Sequence, residues 1–272
     1  MDGAAESQFG IFAEALNLNT KLWVLLYDLH YPKHSKAAWR AALSFIRQNT
    51  VHGILLGGDQ FDNAEISHHN DGKPLYKPVG SYRAATEGFL KDVLCPLEGA
   101  APKAERIWII GNHDQWEQDM DEKRPELKGC LDRPSAYNLT GRGWTVIGNG
   151  KAYKLSKHLT AIHGDQLRGQ MGYMSARLAR KAVEIYGMSV VFGHTHTCQS
   201  ESQVNPVEVK KKRMGWNVPA LCDLNPEYMR NRPSAWVNGF AIVELRDDAT
   251  FNLYPIVITN GVFSYGGKVY RG

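Results

Sequence analysis

Five short stretches place acid, imidazole and amide side chains where a metal ion or a phosphoryl group could be handled. They are Asp28-Leu29-His30, Gly58-Asp59-Gln60-Phe61-Asp62, Gly111-Asn112-His113-Asp114, His163-Gly164-Asp165 and Gly193-His194-Thr195-His196. A one-residue spacing on an extended segment puts two side chains on one face, so Asp28 with His30 and His194 with His196 could each grip one ion. Glycine before Asp59 lets the backbone approach a cation closely. The donors are Asp, His and Asn without thiolate, a set that suits Mn, Fe or Zn better than Mg or Ca alone. In GNHD, an extended turn would send Asn112 and His113 to opposite sides and so give them different tasks. Each cluster by itself has an ordinary reading as a hydrogen-bonded turn with a surface or half-buried histidine; their ordered combination does not.

Each cluster follows a short apolar run: Leu22 to Tyr27, Gly53 to Leu56, Ile107 to Ile110, Leu159 to Ile162 and Met188 to Phe192. Runs of this length, rich in β-branched and aromatic residues, read as buried strands. Lys36 to Gln48, Tyr82 to Leu94 and Ser175 to Ile185 have helical character, and alternating strands and helices indicate an α/β architecture. Ligands of such sheets bind beyond the carboxyl ends of the strands, where these five clusters would converge. From Gly239 onward, alternating segments separated by polar turns suggest an antiparallel β ending. Residues 63–81 and 197–238 read as irregular insertions that line the mouth of the site.

The ordered blocks DLH, GDQFD, GNHD, HGD and GHTH resemble the calcineurin-like metallophosphoesterase superfamily. The resemblance spans residues 22–196 and implies one domain over residues 1–272, a four-layer α/β-β/α sandwich of two mixed sheets flanked by helices. It implies two divalent metal ions, Mn²⁺ first, with Fe, Zn or Ni as alternatives. Asp28, His30 and His196 would hold one ion; Asn112, His163 and His194 would hold the other; Asp59 would bridge them. Two cations about 3.5–4 Å apart need a shared anionic ligand, and they activate a water whose pKa falls towards about 7 for attack on phosphorus. The family assigns His113 to the leaving group and Asp62 as its carboxylate partner. Arg168 is a candidate phosphate contact. Trp116 could stack on a base or pack as core.

Two departures from the protein-phosphatase branch guide the choice of substrate. That branch continues its second block Asp-Arg-Gly and ends its third in Glu; here Asn63 follows Asp62 and the third block ends in Asp114. Loss of a bidentate arginine clamp favours a phosphodiester substrate, in nucleotides or nucleic acid. The alternatives are a phosphomonoesterase acting on phosphoprotein or a small metabolite, and a catalytically silent metal-binding scaffold, which the filled ligand positions disfavour.

The remaining sequence narrows the setting. The 272 residues are 43% hydrophobic and 22% charged, enough for a disulfide-free core. A formal net charge of +4 is too small to demand nucleic acid as a partner, though it is compatible with an anionic substrate. Cys95, Cys130, Cys198 and Cys222 form no CxxC pair, which suits reduced thiols and a cytoplasmic setting. The first 20 residues carry early acidic groups and no long apolar run, so neither a secretory leader nor membrane association is expected. The basic run at 210–213 reads as a solvated loop face. Oligomeric state is left open.

Overall fold

The computed structural model describes residues 19–67, 80–167, 177–204, 212–230 and 232–272. The first half of the chain alternates β1 (Thr20–Leu26), α1 (Lys36–Gln48), β2 (Gly53–Leu56), α2 (Gly80–Phe89), α3 (Cys95–Ala100), β3 (Glu105–Ile109), α4 (Asn112–Lys123), α5 (Arg133–Ala136) and β4 (Trp144–Ile147). There follow β5 (Tyr153–Lys154), β6 (Leu159–Ala161), α6 (Leu178–Tyr186), β7 (Ser189–Phe192), β8 (Gln199–Gln203) and β9 (Arg213–Asn217). The chain ends in β10 (Gly239–Arg246), β11 (Phe251–Val257), β12 (Val262–Tyr265) and β13 (Lys268–Arg271).

One sheet has the order β11-β10-β1-β2-β3-β4, with β1 to β4 parallel and β10 and β11 antiparallel. The other runs β5-β6-β7-β9-β8, with β6, β7 and β9 parallel. Strand periodicity sorts β1 into two cores. Trp23, Leu25 and Tyr27 face the second sheet, where they pack with Leu159, Ala161, Val191 and Trp216. Val24 and Leu26 face the opposite way, against Ala38, Ala42, Phe45 and Ile46 of α1. On the far side of the second sheet, Val190 and Phe192 pack on Leu178, Ala179 and Ala182 of α6. The layers are therefore helix, sheet, sheet, helix.

The structure differs from the sequence expectation in three places. Residues 112–123 form a helix rather than an extended turn. The helix expected to stop at Leu94 passes through a π-helical turn, Leu90–Leu94, into α3. Pro96 sits in the first turn of α3, directly after the π-helical turn. The 197–238 insertion is not wholly irregular, because β8 and β9 pair antiparallel within the second sheet. The QSESQ segment of β8 has no apolar residue to betray a strand. The C-terminal segments from Gly239 do form antiparallel pairs.

Candidate metal centre

The exits of β1, β2, β3, β6 and β7 converge at one place, and their backbones take an uncommon path to do so. Asp28, His30, Asp59, His194 and His196 all have left-handed backbones, with φ of 52°, 51°, 51°, 68° and 59°. Such a conformation costs of order 1–3 kcal/mol per residue and persists only where its surroundings enforce it. Asp and His tolerate it better than most residues. Asp28 and His30 therefore reach one site through two left-handed bends, not through the pleat of an extended strand. The bends are held by main-chain bonds between the first two loops: Asp28 N–H to Gly58 O at 3.1 Å, His30 N–H to Asp59 O at 3.0 Å and Tyr31 N–H to Gln60 O at 2.9 Å.

Three groups of side chains result, of which two hold the expected ligands and the third is His30, Asp62 and His113. In the first, ligating atoms of Asp28, His30 and His196 lie within 4.8 Å of one another. His30 Nε2 and His196 Nε2 face each other at 3.2 Å, and Asp28 Oδ1 is 3.6 Å from His196 Nε2. In the second, Asp59, His163 and His194 meet the same distance limit, and Asn112 Oδ1 lies 3.1 Å from His163 Nε2. Asp59 belongs to both groups by reach: its Oδ2 is 3.2 Å from His163 Nε2 and 3.9 Å from His30 Nε2. His163 Nδ1 sits 3.0 Å from the Gly57 carbonyl, a contact that turns Nε2 into the site.

These residues fit a divalent cation. Asp28 Oδ1 is buried and takes part in no hydrogen bond, a costly state for a carboxylate oxygen unless a cation is its partner. Two imidazole nitrogens facing each other at 3.2 Å make a satisfactory pair if they share a proton or point at one ion. Electrostatics divide the histidines in the same region. Burial opposes charge on His163, but the carboxylates of Asp59, Asp28 and Asp165 outweigh it and raise its pKa to about 10. Burial, reinforced by charge on His163, lowers His194 to about 4. Burial also opposes ionisation of Asp59, yet His163 and His113 hold its carboxyl well below the usual range.

His113 occupies a different part of the centre. It is the second residue of α4, so a turn of about 100° per residue separates it from Asn112. Its N–H donates to Asp59 Oδ1 at 2.8 Å, its ring lies edge-on to that of His30 with centroids 4.6 Å apart, and the Trp116 ring lies against it at 4.1 Å. The expected Asp62 contact exists in another form. His113 Nδ1 meets the Asp62 main-chain carbonyl at 2.8 Å, whereas the Asp62 carboxylate pairs with Lys33 Nζ at 2.8 Å. Lys33, arriving on the β1 exit loop, competes for that carboxylate, and no motif in the sequence signals it. Trp116 is buried with Ile66, Tyr82 and Leu131, so it packs and does not offer a free face. Asp114 braces the turn: its carboxylate accepts N–H bonds from Gly111 at 3.1 Å, Phe61 at 3.2 Å and Gln60 at 3.4 Å. Arg168 lies outside the described residues.

Sequence reasoning also missed two neighbours of His196 and one of Asp165. Cys222 Sγ is 3.7 Å from His196 Nδ1, the Trp236 ring packs edge-on against His196 at 4.3 Å, and Asn149 Nδ2 donates to Asp165 Oδ2 at 3.2 Å. All three come from loops whose composition marks no site.

Residues 28–198 match the family model of the calcineurin-like phosphoesterases. The chain belongs to that family, and is accordingly a hydrolase of phosphoesters that works with divalent metal ions. Gene 54 protein of Mycobacterium phage D29 is 25% identical over 265 residues, covering 93% of this chain and 99% of that protein. Among solved structures, Vps29 in complex with zinc from Entamoeba histolytica covers 92% of this chain and 98% of its own, at 12% identity and a TM-score of 0.46. A dimetal phosphatase from Danio rerio covers 93% and 96%, at 12% identity and a TM-score of 0.40. No helix among the described residues is long and apolar enough to cross a membrane.

Two predictions come from this geometry. With its pKa raised to about 10, metal-free His163 is protonated at neutral pH, so a cation that takes Nε2 must expel that proton. Calorimetric Mn²⁺ titrations in buffers of different ionisation enthalpy should show proton release, with affinity falling about tenfold per pH unit between about pH 8 and 6. Affinity independent of pH, with no proton released, would contradict the His163–Asp59 pairing. Asp114→Asn should lower the denaturant midpoint by the equivalent of about 1–3 kcal/mol, because an amide NH₂ must then face a backbone N–H. An unchanged midpoint would show that the brace contributes nothing.

Proposed function

We propose that this chain hydrolyses phosphodiester bonds, in nucleotides or nucleic acid, at a centre that takes two divalent ions. On this reading Asp28, His30 and His196 hold one ion, Asn112, His163 and His194 hold the other, and Asp59 is shared. The two groups of facing donors and the double reach of Asp59 support that division. An imidazole and oxygen donor set suits manganese, iron or zinc, and manganese is the first choice on this reading. When bound, such ions supply positive charge to the phosphoryl oxygens and lower the pKa of water.

The chain's own residues supply position and a proton. The Gly57 carbonyl turns His163 Nε2 inward. The Asp62 carbonyl accepts from His113 Nδ1–H, so His113 acts as an acid in its imidazolium form, giving the Nε2 proton to the leaving oxygen and keeping the Nδ1 proton. General acids in such positions contribute about 10²–10⁴-fold. The reading treats residues 1–272 as one domain, supported by the core shared between the two sheets.

Position 63 carries the diester preference. Asn63 replaces the arginine of the protein-phosphatase pattern, and its side chain turns inward to the His113 carbonyl at 2.9 Å and to Arg133 Nη1 at 2.5 Å. It is 2% exposed and offers nothing to a phosphoryl oxygen. A monoester carries about −1.5 to −2 charge at neutral pH and gains more from such a clamp than a singly charged diester does.

With Mn²⁺, turnover of bis-p-nitrophenyl phosphate or single- or double-stranded DNA should exceed that of p-nitrophenyl phosphate. Turnover of the monoester alone would overturn the diester assignment in favour of a phosphomonoesterase. His113→Ala should keep its metal content by elemental analysis and lose about 10²–10⁴-fold in kcat. Full turnover in that variant would remove His113 from the chemistry.

A further inference from the structure

A second buried charge cluster lies beneath the His113 turn, and no metal-ligand position belongs to it. Arg133, Glu117 and Asn63 are 1%, 6% and 2% exposed, and they come from α5, α4 and the loop after β2. Arg133 Nη1 binds Glu117 Oε1 and, at 2.5 Å, Asn63 Oδ1. Its Nε donates to Thr86 Oγ1 at 2.9 Å, and its guanidinium is sandwiched between the rings of Phe61 at 3.7 Å and Tyr82 at 3.8 Å. Fold stability alone is a weak reason for this arrangement, because buried ion pairs are often replaceable by apolar side chains at no cost.

What an apolar replacement could not reproduce is direction. Arginine only donates, so the Asn63 side chain must present its oxygen to Arg133. Its NH₂ is thereby turned the other way, to the His113 carbonyl at 2.9 Å and Glu117 Oε1 at 3.3 Å. Asn63 has a left-handed backbone, φ 50°, a conformation asparagine tolerates better than most residues. The loop after β2 then holds His113 at three points: its N–H by Asp59 Oδ1, its Nδ1 by the Asp62 carbonyl and its carbonyl by Asn63. Glu117, one turn along α4 from His113, ties the same helix to Arg133.

We infer that Arg133 is a positioning residue for the reaction: it sets the Asn63 amide and, through it, aims His113 at the leaving group. The inference rests on the reading of His113 as the proton donor, and the test separates the two. Mn²⁺-loaded wild type, His113→Ala and the double variant E117Q/R133M, in which both buried charges leave together, are compared on two aryl esters. These are the p-nitrophenyl and phenyl esters of whichever phosphate class the enzyme turns over. Phenoxide, the poorer leaving group, needs the proton more.

His113→Ala should lose more kcat on the phenyl ester than on the p-nitrophenyl ester. E117Q/R133M should show the same skew, at about tenfold or more for a displacement of well under 1 Å, with KM and Mn²⁺ affinity at their wild-type values. Equal losses on both esters in the double variant, beside a skewed His113→Ala, overturn the role of Arg133 alone. No skew in His113→Ala overturns the proton-donor reading and this inference with it. If E117Q/R133M does not fold, Asn63→Asp decides, since it keeps an acceptor for Arg133 and removes the donor to His113. The skew should appear there too, and equal losses on both esters overturn the inference.

Discussion

The Asp59 carboxylate joins the two halves of the centre. Oδ1 accepts the His113 N–H at the start of α4, and Oδ2 faces His163 on one side and His30 on the other. A carboxylate 1% exposed is costly unless cationic or donating groups offset its burial, and the His113 N–H, His163 and His30 do so here. The approach of α4 to it depends on Gly111, where a Cβ would come within 2.2 Å of Asp59 Oδ1. Gly193 has the matching part beside Asp28, where a Cβ would lie 2.4 Å from Oδ2. The two glycines let helix and loop close on the carboxylates without a side chain in between.

From that constraint follows the use made of the fold. Parallel strands deliver their carboxyl ends to one edge of each sheet, and the shared core of Trp23, Leu25, Tyr27, Val191 and Trp216 sets those edges together. The chain then leaves β1, β2 and β7 through left-handed residues, which fold the side chains back over the strand ends instead of continuing the pleat. Strain of this kind is spread over five residues at a single place, and main-chain bonds between the exit loops hold it. Rigid elements thus fix a cluster that its own backbone preferences would relax.

Much of this was legible in the sequence because strand ends are marked twice, by an apolar run and by the glycine or polar cluster that follows. The runs at 53–56 and 159–161 and the helix at 36–48 needed little more than periodicity. Helix α4 was not legible: NHDQWEQDMDEK has few apolar residues, and its start is secured by Asp114 accepting the Gly111 N–H together with tertiary bonds to the β2 loop. The partner of the Asp62 carboxylate was not legible either, since His30, His113 and Lys33 all lie within reach of one turn and only the folded chain decides among them. Arg133 carries no motif at all. Its meaning arises from Asn63 and Glu117, which are 70 and 16 residues away.

An anomalous-difference map from a crystal grown with Mn²⁺ tests the central claim most directly. Two peaks should flank Asp59, one among Asp28, His30 and His196 and the other among Asn112, His163 and His194, with the Asp59 carboxylate in contact with both. A single peak, or two peaks that Asp59 does not share, would contradict the account.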